Sequence, residues 1–131
     1  MKQVTQANFG NKLRGALPDF AVHSEDFRDY LADPETGWIY GVGWDFGSHL
    51  IDLLDQRDYR ACRRYFAFLN RWLASTDEYL LHVAWEGVLE KLAFISAFYY
   101  TTALRYLRPR GAELLRLCKD NPPTGQQSPR W

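Results

Sequence analysis

Asp77-Glu78-Tyr79-Leu80-Leu81-His82-Val83-Ala84-Trp85-Glu86-Gly87-Val88-Leu89-Glu90-Lys91-Leu92-Ala93-Phe94 carries the strongest periodicity in the chain. Leu81, Ala84, Trp85, Val88 and Leu92 recur at offsets of three and four, the spacing that lines up side chains on one face of an α-helix. Ser75-Thr76-Asp77-Glu78 supplies hydroxyl caps and then acids where the helix dipole favours negative charge. The segment is therefore expected to be the central helix of the fold. Glu78, His82, Glu86 and Glu90, four residues apart, form its polar stripe.

Working outward, Cys62, Phe66, Leu69 and Leu73 predict a helix over residues 58–74, with Arg60, Arg63, Arg64 and Arg71 largely on its other face. Phe46, Leu50, Leu53 and Leu54 predict a helix over 45–56, with Asp45, Asp52 and Asp55 away from the apolar stripe. Before it, residues 35–47 hold four glycines among Trp38, Tyr40, Trp44 and Phe46, which reads as an aromatic-rich loop or short extended segment. Ser24 is a good N-cap for a short helix closed by Asp33-Pro34, and residues 3–17 make a first helix stopped by Pro18. Toward the C-terminus, residues 95–107 read as helical, and Pro109 suits the first turn of a last helix ending at Lys119. There is no fixed-period repeat, heptad run or alternating stretch that would demand a sheet. The expectation is an all-α, antiparallel bundle of five or six helices with an aromatic, Gly-rich loop. Residues 1–120 are expected to form one domain and 121–131 a flexible tail.

Composition narrows the function. The 131 residues are 47% hydrophobic and 16% aromatic, enough for one packed core. Sixteen basic residues balance sixteen acids, so no global field draws the chain to nucleic acid or an anionic membrane. Residues 1–58 hold ten acids against five bases and residues 59–131 six against eleven, a net of −5 and +5 that cancels if the halves fold together. The two cysteines, Cys62 and Cys118, fall on apolar faces. With no leader-like run at the start and no apolar stretch long enough for a membrane, they are expected to be free thiols in a reducing cytoplasm.

Patterns that carry catalysis are missing. The glycines of 41–47 lack the dinucleotide-binding spacing, and no two histidines share a metal-binding motif. Ser48 and His49 are adjacent, which on a helix points them apart. The expectation is a non-enzyme without metal or cofactor. What stands out instead is the aromatic set Trp38, Tyr40 and Trp44, of the kind that anchors protein interfaces, and the acids Asp45, Asp52, Asp55, Glu86 and Glu90, which suit a basic partner. These eight residues are the candidate partner-binding site.

The run 77–92, followed by Tyr106-Leu107-Arg108-Pro109-Arg110-Gly111-Ala112-Glu113-Leu114-Leu115, resembles an uncharacterised family of small all-helical bacterial proteins. In that family an acidic helix start leads to an apolar helix ending in Leu-Glu-x-Leu, and a Pro-containing helix closes the domain. Such families are similar in type to the immunity proteins of polymorphic-toxin systems. The resemblance implies a cytoplasmic protein that binds a toxin domain directly, its acids in the toxin's basic groove and its aromatics at the rim. The alternative is a homo-oligomeric structural or regulatory module, such as a homodimer, that consumes the same surface itself.

Overall fold

A computed structural model describes residues 3–123. Among these the chain is all-helical, with eight helices where five or six were expected. They are α1 (Phe9–Ala16), α2 (Phe20–His23), α3 (Glu25–Ala32), α4 (Ile39–Asp55), α5 (Tyr59–Leu73), α6, α7 (Ala97–Tyr106) and α8 (Pro109–Lys119). Helix α6 is one rod over residues 78–94: an α-helical part Glu78–Ala84, a π-helical turn Trp85–Leu89, and an α-helical end Glu90–Phe94.

Local chemistry sets half of the eight helix starts. The Ser24 hydroxyl accepts the Phe27 amide at 3.0 Å, Asp58 accepts that of Ala61, Asp77 those of Tyr79 and Leu80, and Ser96 that of Tyr99. Helix α1 begins later than expected. Residues 3–8 form turns in which Asn8 takes the Thr5 amide and Val4 is buried, its carbonyl accepting the Ser75 hydroxyl at 2.6 Å. A long-range bond therefore replaces the first helical turns. Between α4 and α5, Arg57 adopts the left-handed conformation, at φ 59°. Its guanidinium donates to the Leu54 carbonyl and lies 4.2 Å from the centre of the Phe98 ring.

The core is aromatic. Trp72 packs against Phe9 and Phe46, with ring centres 4.8 and 5.5 Å apart, and its indole N–H donates to the Leu80 carbonyl at 2.8 Å. Cys62 and Cys118 are buried and free, and burial pushes their thiols up to about 11 and 12. No helix among the described residues is long and apolar enough to cross a membrane.

The largest departure from expectation is the glycine-rich stretch. Residues 39–47 are not a loop: they are the first half of α4, a single helix of 17 residues. Each glycine in a helix interior costs about 1 kcal/mol relative to alanine, so the helix must recover that elsewhere, and it does so through close packing. A Cβ at Gly43 would meet Val83 Cγ1 at 2.7 Å, while one at Gly47 would strike the Gly87 carbonyl oxygen of α6. Helices α4 and α6 thus cross backbone to backbone, through Gly43 and Gly47 on one side and Gly87 on the other. Most of the tail, residues 124–131, lies outside the described residues.

Candidate functional site

The glycine crossing builds a recess. Because residues 39–47 are helical, Tyr40 and Trp44 stand four apart on one face, and Trp38 caps the same helix end. On α6, Gly87 sits in the π-turn, where the Glu90 amide reaches back five residues to the Trp85 carbonyl. Glu86 and Glu90, on either side of that glycine, complete the walls. Trp38, Tyr40, Trp44, Glu86, Gly87 and Glu90 enclose about 240 Å³. Trp38 and Trp44 remain 65% and 58% exposed, unusual for side chains of this size.

Two neighbours hold the recess in shape. The Lys91 ammonium lies 3.1 Å from the centre of the Trp44 ring and donates to the Gly87 carbonyl at 3.0 Å. Lys91 does not itself line the recess, so it braces Trp44 from outside. Burial lowers its ammonium to about 8, with Asp45 pulling the other way. Tyr79 meets Tyr40 edge to face at 5.7 Å between ring centres. Burial, then Tyr79 and the charge of Glu86, raise the Tyr40 phenol above its ordinary range.

Five of the eight expected site residues therefore converge: Trp38, Tyr40, Trp44, Glu86 and Glu90. The other three do not join them. Asp45 is half-buried and accepts the Ser24 hydroxyl at 2.7 Å. It also raises the carboxyl of Asp26, after the larger effect of burial. Asp52 is exposed, and Asp55 accepts the Tyr99 phenol. At 1.5 Å per residue these two stand roughly 12 and 17 Å along α4 from Trp44. The regular polar stripe of α6 is broken by the π-turn: Glu78 is exposed whereas His82, Glu86 and Glu90 are half-buried. Arg64 forms its ion pair with Asp19, at 3.0 Å, and not with the α6 acids.

Sequence reasoning missed Tyr79, Gly87 and Lys91. The spacing Gly43-x-x-x-Gly47 was a readable signal of close helix approach, but its partner Gly87 is 40 residues away and nothing local marks it. Chemically, aromatic faces beside two carboxylates suit an organic cation, an ammonium or a guanidinium, which gains from both ring quadrupole and charge. No group of three or more metal-ligating side chains comes together among the described residues.

No curated protein and no solved structure matched the chain. Residues 10–121, which include every helix but the first residue of α1, match the model of a family described as a domain of unknown function (DUF7674), and the chain belongs to that family.

Proposed function

We propose that the protein is a binding module whose recess takes a lysine or arginine side chain of a protein partner. One observation carries the reading: three aromatic side chains and two carboxylates, drawn from segments about 40 residues apart, enclose a single recess with two tryptophans left exposed. Tryptophan and tyrosine are the usual anchors of interfaces, and carboxylates beside them select basic partners. The narrower form of this reading is an immunity protein that neutralises a bacterial toxin by covering the basic groove with which the toxin holds its substrate. Direct stoichiometric binding, without catalysis, is the mode of action in either form.

The test is affinity capture from the native host with tagged protein, followed by co-expression of any stoichiometric partner. A single partner that is toxic alone and harmless with this protein establishes the narrower reading. Trp44→Ala and the pair Glu86→Gln with Glu90→Gln should each weaken that complex while the circular-dichroism spectrum stays native. Unchanged affinity in both would place the interface elsewhere. Exposed Ile95 and Leu117, at 57% and 49%, favour a second reading, a homo-oligomeric module. Light scattering separates the two, since that module must have at least twice the chain mass.

A further inference from the structure

A second depression, larger than the recess, lies where the end of α5 meets the start of α8. It encloses about 420 Å³, the size of a small-molecule site, and Arg71, Arg108, Arg110 and Asn70 are among its walls. The geometry points to a binding site for a small phosphate-bearing anion, held by Arg71, Arg108 and Arg110 over the first turn of α8. This goes beyond the partner-binding reading and does not depend on it.

The Arg71 guanidinium lies 5.8 Å from the centre of the Phe68 ring, a contact that offsets only part of the charge gathered here. No carboxylate of the described residues lies within 4 Å of any of these three arginines. Glu113, three residues beyond Arg110 and one turn along the same helix, makes no such pair. Arg71 is half-buried, and its Nε is out of solvent without a hydrogen-bond partner. Buried donors without acceptors are uncommon and call for a ligand or water.

The backbone adds to the same imbalance. Helix α8 has 11 residues, and its cap residue, Arg108, offers no side-chain acceptor. Pro109 has no amide hydrogen, and the first turn contains no acid, so the amides of Arg110 and Gly111 open the helix without a capping group. Two arginines therefore sit at the positive end of a helix dipole, where cations are disfavoured. The arrangement is rigid: Asn70 accepts the Arg108 amide at 2.8 Å and donates to the Tyr106 carbonyl at 3.2 Å, fixing the α7–α8 corner on α5. A Cβ at Gly111 would meet Leu73 and Leu107 at 3.2 Å, so the helix start is pressed against α5. Fork-shaped guanidinium groups and free amides match phosphate oxygens, and phosphate supplies the two negative charges that the site lacks.

The test uses the full chain and inorganic phosphate, with chloride at equal ionic strength as reference, read by 15N-resolved NMR and by thermal midpoint. The site predicts saturable shifts centred on the amides of Arg110 and Gly111, and a rise in midpoint. Arg108→Gln with Arg110→Gln should weaken phosphate binding at least tenfold, the loss matching removal of charge-assisted hydrogen bonds. In chloride alone that variant should melt no lower than the parent, because two cations leave the helix start. A phenyl phosphate arm and a phosphoserine-peptide arm separate a small ester from a phosphorylated protein. Stronger binding of the peptide would replace the small anion as the occupant and overturn the proposal as stated. A midpoint rise that persists undiminished in the variant, without localised shifts, would be a general salt effect and would overturn it outright.

Discussion

The recess at the α4–α6 crossing and the arginine-lined depression at the α5–α8 corner are both charged, but their charges stand on different terms with the rest of the chain. Around the recess, several polar groups find partners: Lys91 sits between the Trp44 ring and the Gly87 carbonyl, Asp45 takes the Ser24 hydroxyl, and Tyr79 supports Tyr40. At the corner, three arginines gather around a helix start with no acid within ion-pairing reach among the described residues. The contrast is informative. A balanced site presents a finished surface, suited to docking, whereas an unbalanced one is destabilised until a counter-charge arrives.

Removing the glycine crossing is expected to have the largest effect. Gly87→Ala would drive a methyl group into the Gly43 backbone, where no side chain can rotate aside. We expect a loss of about 3 kcal/mol, the upper range for overpacking, measured by urea denaturation. The phosphate response at the corner should survive in whatever fraction stays folded. A midpoint equal to the parent's would show that the crossing does not hold the recess.

Ser24→Ala is the next largest. It removes the acceptor for the Phe27 amide and the donor to Asp45 at once. A loss of about 1–2 kcal/mol is expected from the cap alone, again by urea midpoint.

Lys91 gives a smaller effect that is read through pH. Its ammonium is lowered to about 8, so above that value the folded chain holds this proton less tightly than the unfolded chain does. Stability from this group therefore rises as pH climbs from about 8 toward the ordinary lysine range. The raised thiols of Cys62 and Cys118 act in the opposite direction, losing stability as pH passes the ordinary thiol value. Comparing the parent with Lys91→Met at pH 7 and pH 9.5 cancels the thiols. The parent should gain relative to the variant at the higher pH, and a flat difference would mean that Lys91 is not held out of water.

The smallest effect is expected at the arginine corner. Replacing Arg108 and Arg110 by glutamine should leave stability in chloride unchanged or raise it by a few tenths of a kcal/mol, as expected when cations leave a helix N-terminus. Destabilisation would mean that these arginines already have partners within the protein.

The sites were unequally legible in the sequence. Trp38, Tyr40, Trp44, Glu86 and Glu90 are recognisable by residue type, because bulky aromatics and acids placed off the apolar stripes suggest an interface. Their meeting point is not recognisable, since it depends on a helix whose glycines read as a loop. Asp45, Asp52 and Asp55 share one charge and one helix with the recess but face Ser24, solvent and Tyr99. Charge identifies candidates, and rotation about the helix axis, for Asp45, or distance along it, for Asp52 and Asp55, selects among them. The arginine corner escaped notice because Arg71 reads as one more member of an exposed basic face. Only the packing of α8 onto α5 brings it beside Arg108 and Arg110.

Periodicity and capping, both local, determined that the chain is helical, where α3, α5, α6 and α8 run, and that Cys62 and Cys118 turn inward. Tertiary structure alone decided that residues 39–47 are helical. Glycine's intrinsic cost favours a loop there, and only backbone contact with Gly87, far along the chain, outweighs it. Gly87, the α6 side of that contact, sits in the π-turn between Glu86 and Glu90. Side-chain chemistry is inherited from the residue, whereas the company a side chain keeps depends on which helices can approach most closely.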